Sequence, residues 1–105
     1  MPTYTRAEAE ALLPKLRPLL EDLQRRMAAY RRRPSDPVAK EINALMVDIA
    51  ELGAEVKDPD RGLIDFRAQY RGHEVYLCWQ LGEGSRISYW HDLEAGFAGR
   101  KLIED

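Results

Sequence analysis

The sequence has a single cysteine and only two histidines among its 105 residues. One thiol excludes an intramolecular disulfide and any metal knuckle built from several thiolates. No apolar run approaches the roughly 20 residues that a bilayer core requires. Met1-Pro2-Thr3-Tyr4 leads into charged sequence without a signal-peptide core. A cytoplasmic location and no membrane association follow as expectations. An excess of either charge is also missing, since 16 Lys+Arg stand against 18 Asp+Glu, a formal net charge of −2. That balance gives no reason to expect nucleic acid as a partner. Internal repeats and low-complexity tracts are absent. With 45% apolar and 32% charged residues the chain is globular. Its length supports one hydrophobic core, so residues 1–105 read as a single domain.

Seven of the nine aromatic residues and six of the seven glycines lie beyond Gly53. This marks a change of structural type within the domain: a helical hairpin over about 5–53, a β-meander over about 54–92 and a C-terminal segment over 93–105. Thr5 with Glu8 forms a capping box. Leu13, Leu16, Leu20, Leu23, Met27 and Tyr30 then recur every three or four residues as one apolar seam. Pro14 and Pro18 each remove an intrahelical donor and predict a kink or a short break. A second helix is capped by Asp36 with Pro37 in its first turn. It carries Val38, Ile42, Leu45, Ile49 and Leu52 on one side and stops at Gly53. Two such seams joined by a short turn pack antiparallel in the manner of a coiled coil. Near the hairpin tip, Arg25, Arg26, Arg31, Arg32 and Arg33 have only Tyr30 as an aromatic neighbour. They read as a solvated helix end rather than an RNA-binding patch.

After Gly53 the period changes to two. Ile64, Phe66, Ala68 and Tyr70 alternate with Leu63, Asp65, Arg67 and Gln69. Val75, Leu77, Trp79 and Leu81 alternate with Glu74, Tyr76, Cys78 and Gln80. A two-residue turn at Arg71-Gly72 pairs Ala68 with Val75, Phe66 with Leu77 and Ile64 with Trp79. Every apolar side chain then shares one face, and a one-residue slip would destroy that agreement. A loop at residues 82–85 pairs Leu77 with Trp90 and Cys78 with Tyr89. A loop at residues 58–62 pairs Val56 with Ile64 and Glu55 with Asp65. The predicted fold is α+β, an antiparallel two-helix hairpin packed on one face of a four-stranded antiparallel β-meander, with Trp79 and Trp90 in the core.

The opposite sheet face gathers the reactive side chains. In this register Glu55, Asp65, Cys78 and Tyr89 form one cross-strand row. Arg67, Tyr76 and His91 form the next, and Lys57, Leu63, Gln80 and Ile87 the third. Carboxylates directly opposite one another repel. Glu55 and Asp65 therefore raise one of their own pKa values, take up a cation, or are neutralised by Lys57 and Arg67. His91 with Glu94 offers an imidazole and a carboxylate at a strand end. Together with Glu55 or Asp65, His91 supplies ligands for a divalent metal, the one cofactor class the sequence points to. A hydrogen-bonded structural histidine is the competing reading. Cys78 lies in mid-strand with His91 only diagonally across, and reads as a small apolar filler rather than an activated nucleophile. Residues 96–100 are expected to fold back over a sheet edge or the polar face, with Phe97 as anchor and Arg100 answering Glu55 and Asp65; the alternative is a surface tail.

Several short motifs follow in order: Glu10-Ala11-Leu12-Leu13-Pro14, Gly62-Leu63-Ile64-Asp65-Phe66, Val75-Tyr76-Leu77-Cys78-Trp79, Gly82-Glu83, Trp90-His91 and Gly96-Phe97-Ala98-Gly99-Arg100. The ordered set resembles a family of small bacterial proteins known as a domain of unknown function, DUF2203, over nearly the whole chain. Many relatives look like Asp-Phe-Pro where this chain has Phe66-Arg67, and like Cys-Trp-Arg where it has Trp79-Gln80. The absence of that proline keeps a backbone donor for strand pairing. The resemblance implies a prokaryotic source and no established activity, so no catalytic residues carry over from it.

Two function classes compete. A protein-interaction module, in particular a homodimer, would use Tyr76, Tyr89, Ile87 and Leu63 as an interface core with Arg67 at its edge. This is the favoured expectation, because no recognised catalytic motif occurs. A small metal-assisted or acid/base enzyme would use Glu55, Asp65, His91 and Arg100. Shape separates the two, since an enzyme needs a walled cleft and an interface is often flat.

Overall fold

The computed structural model describes residues 2–104. Helix α1 (Arg6–Arg32) begins at Thr5, where the capping box is complete: Thr5 Oγ1 accepts from Glu8 N–H at 3.0 Å, and Glu8 Oε1 accepts from Thr5 N–H at 2.8 Å. The helix runs through Pro14 and Pro18 without the expected break. Both prolines are exposed and four residues apart, so the carbonyls they deprive of donors lie on the outer face, where water can satisfy them. Leu13, Leu16, Leu20 and Leu23 fill the inner face. Helix α2 (Asp36–Glu51) is capped by Ser35, whose hydroxyl accepts from Val38 N–H, and Asp36 is the first helical residue rather than the cap. Beyond its end Gly53 takes φ +98°, and a Cβ there would meet the Tyr4 hydroxyl at 2.0 Å.

Five antiparallel strands follow in sequential order: β1 (Glu55–Asp58), β2 (Leu63–Tyr70), β3 (His73–Gln80), β4 (Tyr89–Asp92) and β5 (Lys101–Leu102). The sheet thus has one strand more than the four expected. The C-terminal segment passes through a 3₁₀ turn at Phe97–Gly99 and returns to pair Leu102 with Tyr89 and Lys101 with Trp90. A two-residue strand is too short to show a period of two in sequence. The inner registers match the alternation: Ile64↔Trp79, Phe66↔Leu77 and Ala68↔Val75, then Leu77↔Trp90 and Cys78↔Tyr89, then Val56↔Ile64 and Glu55↔Asp65. An irregularity after Val56 puts Asp58, not Lys57, opposite Leu63.

Arg71 (φ 51°) and Gly72 (φ 86°) both take left-handed conformations in the β2–β3 turn, the form that suits strand twist. Arginine is strained there, whereas asparagine tolerates that conformation. Arg71→Asn should raise stability by a few tenths to about 1 kcal/mol. A thermal melt checks this. A lowered midpoint would mean that the exposed Arg71–Glu104 pair outweighs the strain.

The inner sheet face (Ile64, Phe66, Ala68, Val75, Leu77, Trp79) packs with the α1 leucines, Leu45 and Ile49 in one cluster. Ile87 joins this cluster rather than the outer row. It precedes β4, and its N–H donates to Glu10 Oε2 on α1 at 2.7 Å. Trp90 is half-buried rather than central, with Tyr70 on one side at 5.0 Å between ring centroids and the Lys101 ammonium over its ring. No helix among the described residues is long and apolar enough to cross a membrane.

Candidate functional site

The sheet face turned away from the helices carries the predicted rows, Glu55–Asp65–Cys78–Tyr89 and Arg67–Tyr76–His91. Three of these side chains are nearly solvent-free: Asp65 is 2% exposed, Cys78 1% and His91 3%. Buried polar groups need partners. His91 extends from β4 across β3 to Asp65 on β2, with Nε2 at 3.0 Å from Oδ2. Its Nδ1 lies 2.9 Å from the Asp92 carbonyl oxygen. A carbonyl only accepts, so Nδ1 carries a proton. One further proton then sits between Nε2 and Oδ2. Imidazolium with carboxylate, or imidazole with carboxylic acid, contains the same number of protons. Burial pushes the Asp65 carboxyl above its ordinary value, while His91 pulls it back. Asp65 Oδ1 is buried without a hydrogen bond of acceptable geometry. One ligand-capable atom from each of Asp65, Cys78 and His91 lies within 4.8 Å of the other two.

Cys78 is not an activated nucleophile. Both ring nitrogens of His91 are engaged elsewhere, and burial, aided by the Asp65 charge, pushes the thiol up to about 11. Its reactivity toward a thiol reagent at mildly alkaline pH should be far below that of the unfolded chain, and equal rates would refute the burial. A thiol whose folded value lies above its unfolded 9.0 adds stability that is complete below pH 9 and lost as pH rises through about 11. Cys78→Ala should therefore flatten the alkaline fall in melting temperature.

The three residues form the floor of a cleft of about 210 Å³. Leu63 and Tyr76 wall it on the sheet side, and Leu93 and Phe97 on the side of the C-terminal segment, with Lys57 at the rim. The residues expected to form an interface are largely covered: Leu63 is 5% exposed, Tyr76 8% with the Lys57 and Arg67 cations over its ring, and Ile87, on the helix side, 0%, while Tyr89 is half-buried under Arg100.

The remaining candidates do other things. Glu55 does face Asp65 in register, but its Oε1 accepts from Lys57 Nζ at 3.1 Å and from the Tyr76 hydroxyl at 3.2 Å. The two carboxylates are thus answered separately, and Glu55 is replaced by Cys78 in the ligand-capable group. Arg67 pairs with Glu74 at 2.9 Å rather than with either carboxylate. Arg100 does not reach Glu55 or Asp65, although its Nη1 donates to Cys78 Sγ at 3.8 Å. It binds Glu83 with both terminal nitrogens, at 3.2 and 2.5 Å, and its guanidinium is 3.8 Å from the Tyr89 ring centroid and 4.3 Å from that of Phe97. This clasp ties the C-terminal segment to the sheet. Glu94 is exposed and outside the group. The clasp role of Glu83 and the wall role of Leu93 had no sequence signal, because both depend on where the segment returns.

The model of an uncharacterised conserved protein family, DUF2203, matches residues 25–103, so the Glu10–Pro14 motif lies outside the match. No curated protein and no solved structure matches the chain. The matched span takes in all five strands, the cleft and its floor of Asp65, Cys78 and His91. On that match the chain belongs to the DUF2203 family.

Proposed function

We propose that this chain is a small enzyme whose active site is the cleft on the outer sheet face. The Asp65–His91 pair there would move a proton to or from a small molecule held between Tyr76 and Phe97. The observation that carries this reading is a buried carboxylate–imidazole pair at the floor of a walled cleft, with one carboxylate oxygen that no N–H or O–H donor reaches and the Cys78 thiol set against the carboxylate. A purely structural pair is normally fully satisfied and closed over by side chains. A cytoplasmic setting suits the reduced, buried thiol. A fragment screen read by amide chemical shifts tests the reading. Shifts should cluster on Leu63, Tyr76, His91, Leu93 and Phe97, and binding confined to another face would contradict it.

A homodimer is the second reading, resting on a different surface from the one expected. Among the described residues β5 has no strand partner on its outer side, and Leu102 there is 62% exposed. Sedimentation at high micromolar concentration should then show a dimer that Leu102→Lys disperses. A 12.1 kDa monomer would end this reading.

A further inference from the structure

We propose that the floor of the cleft is a binding site for a divalent transition metal of the zinc class, with Asp65, Cys78 and His91 as ligands and a fourth position open toward the cleft. This deepens the reading of the cleft as the functional site and rests on it.

A thiolate, an imidazole nitrogen and one carboxylate oxygen select zinc, cobalt or ferrous iron over magnesium or calcium, which take oxygen ligands. The geometry is close to what such an ion needs. The three candidate atoms already lie within 4.8 Å of one another, and His91 Nε2 is 3.0 Å from Asp65 Oδ2. A four-coordinate ion with bonds of about 2.0–2.3 Å sets its ligands roughly 3–4 Å apart. Side-chain adjustment closes that difference, because β2, β3 and β4 each hold one ligand at a fixed register position.

Two independent features point the same way. A ligating histidine commonly donates its other ring N–H to a carboxylate or a backbone carbonyl. His91 Nδ1 does this with the Asp92 carbonyl, leaving Nε2 turned inward. Asp65 Oδ1 is buried and meets no N–H or O–H donor, and the Cys78 thiol lies against the carboxylate, so carboxylate and sulfur already face one another at the floor. Charge also balances. On binding, the proton shared by Nε2 and Oδ2 and the thiol proton leave to solvent, and one carboxylate plus one thiolate neutralise the two positive charges of the ion. Three protein ligands and an open position are the arrangement of catalytic rather than structural zinc sites. The open position would meet a molecule held between Tyr76 and Phe97.

The test uses the full chain after treatment with a chelator and dialysis. Cobalt(II) is titrated in, followed by zinc. One equivalent of cobalt should bind with thiolate-to-metal absorption in the near ultraviolet and intense visible bands of a four-coordinate ion, and zinc should displace it. Cys78→Ser should remove the thiolate band while circular dichroism shows the fold intact. His91→Gln should weaken binding by about tenfold or more. Glu55→Gln should leave both unchanged. The proposal is overturned if neither metal binds, if the spectrum survives Cys78→Ser, or if Glu55→Gln abolishes binding. The fragment shifts on metal-free protein are read separately, so loss of the metal site and loss of the cleft reading give different results.

Discussion

Replacing Trp79 with alanine should remove about 3–5 kcal/mol of folding free energy. A domain of this size has a total of about 5–15 kcal/mol, so the variant would be close to unfolding at 37 °C. The side chain is 0% exposed, lies opposite Ile64 on β2 and has the Arg17 guanidinium 5.8 Å from its ring centroid. Its Nε1–H donates to the Gly84 carbonyl at 3.1 Å. Deletion leaves a cavity between α1 and the sheet, where backbone on both sides limits collapse. Trp79→Phe should cost less, because most of the volume remains and Gly84 is exposed enough for water to take the lost bond. Urea denaturation separates the two. A Trp79→Ala midpoint within a degree or two of wild type on heating would contradict the packing of the inner face.

The second large effect concerns the buried pair. His91→Ala should cost about 3–5 kcal/mol at neutral pH, since it leaves Asp65 Oδ2 without its hydrogen-bond partner in a site 2% exposed. His91→Gln retains a donor for Oδ2 and should recover part of that loss. The pH dependence has a definite sign. Burial holds the folded value of Asp65 above its unfolded value, so its contribution is favourable at acid pH and is lost as pH rises through the folded value. Without His91 to oppose the burial this loss grows. The gap between wild type and His91→Ala should therefore narrow as the medium becomes acid. Melts across that range check it, and a gap that widens toward acid, or never exceeds a few tenths of a kcal/mol, would show that His91 is not what holds Asp65 in its buried site.

The inner sheet was legible because β2 and β3 alternate for eight residues each, and only one register puts Ile64, Phe66, Leu77 and Trp79 on the same face. The same register correctly aligned Asp65 with Cys78 and Tyr76 with His91. Register does not say where long side chains turn. Glu55 turns to Lys57 and Tyr76, and His91 crosses β3 to Asp65; both choices depend on rotamers and burial that alternation does not encode. The wall of the cleft was illegible for another reason. Residues 93–100 have no period, and their path is set by contacts far away in sequence: Arg100 with Glu83 and Tyr89, and Ile103 N–H with the Ser88 carbonyl at 2.8 Å. The helix prolines show the converse. Their cost was readable, but its relief required knowing that both face water.

Asp65, Cys78 and His91 are proposed to form a metal-binding floor within a functional cleft. A crystal structure of the zinc-soaked protein, with anomalous difference density recorded on both sides of the zinc edge, tests it most directly. One edge-dependent peak is expected at the cleft floor, about 2.3 Å from Cys78 Sγ and about 2.0–2.2 Å from His91 Nε2 and an Asp65 carboxylate oxygen. A cleft without a peak at full zinc occupancy elsewhere, or an ion held by Glu55 in place of Cys78, would contradict it.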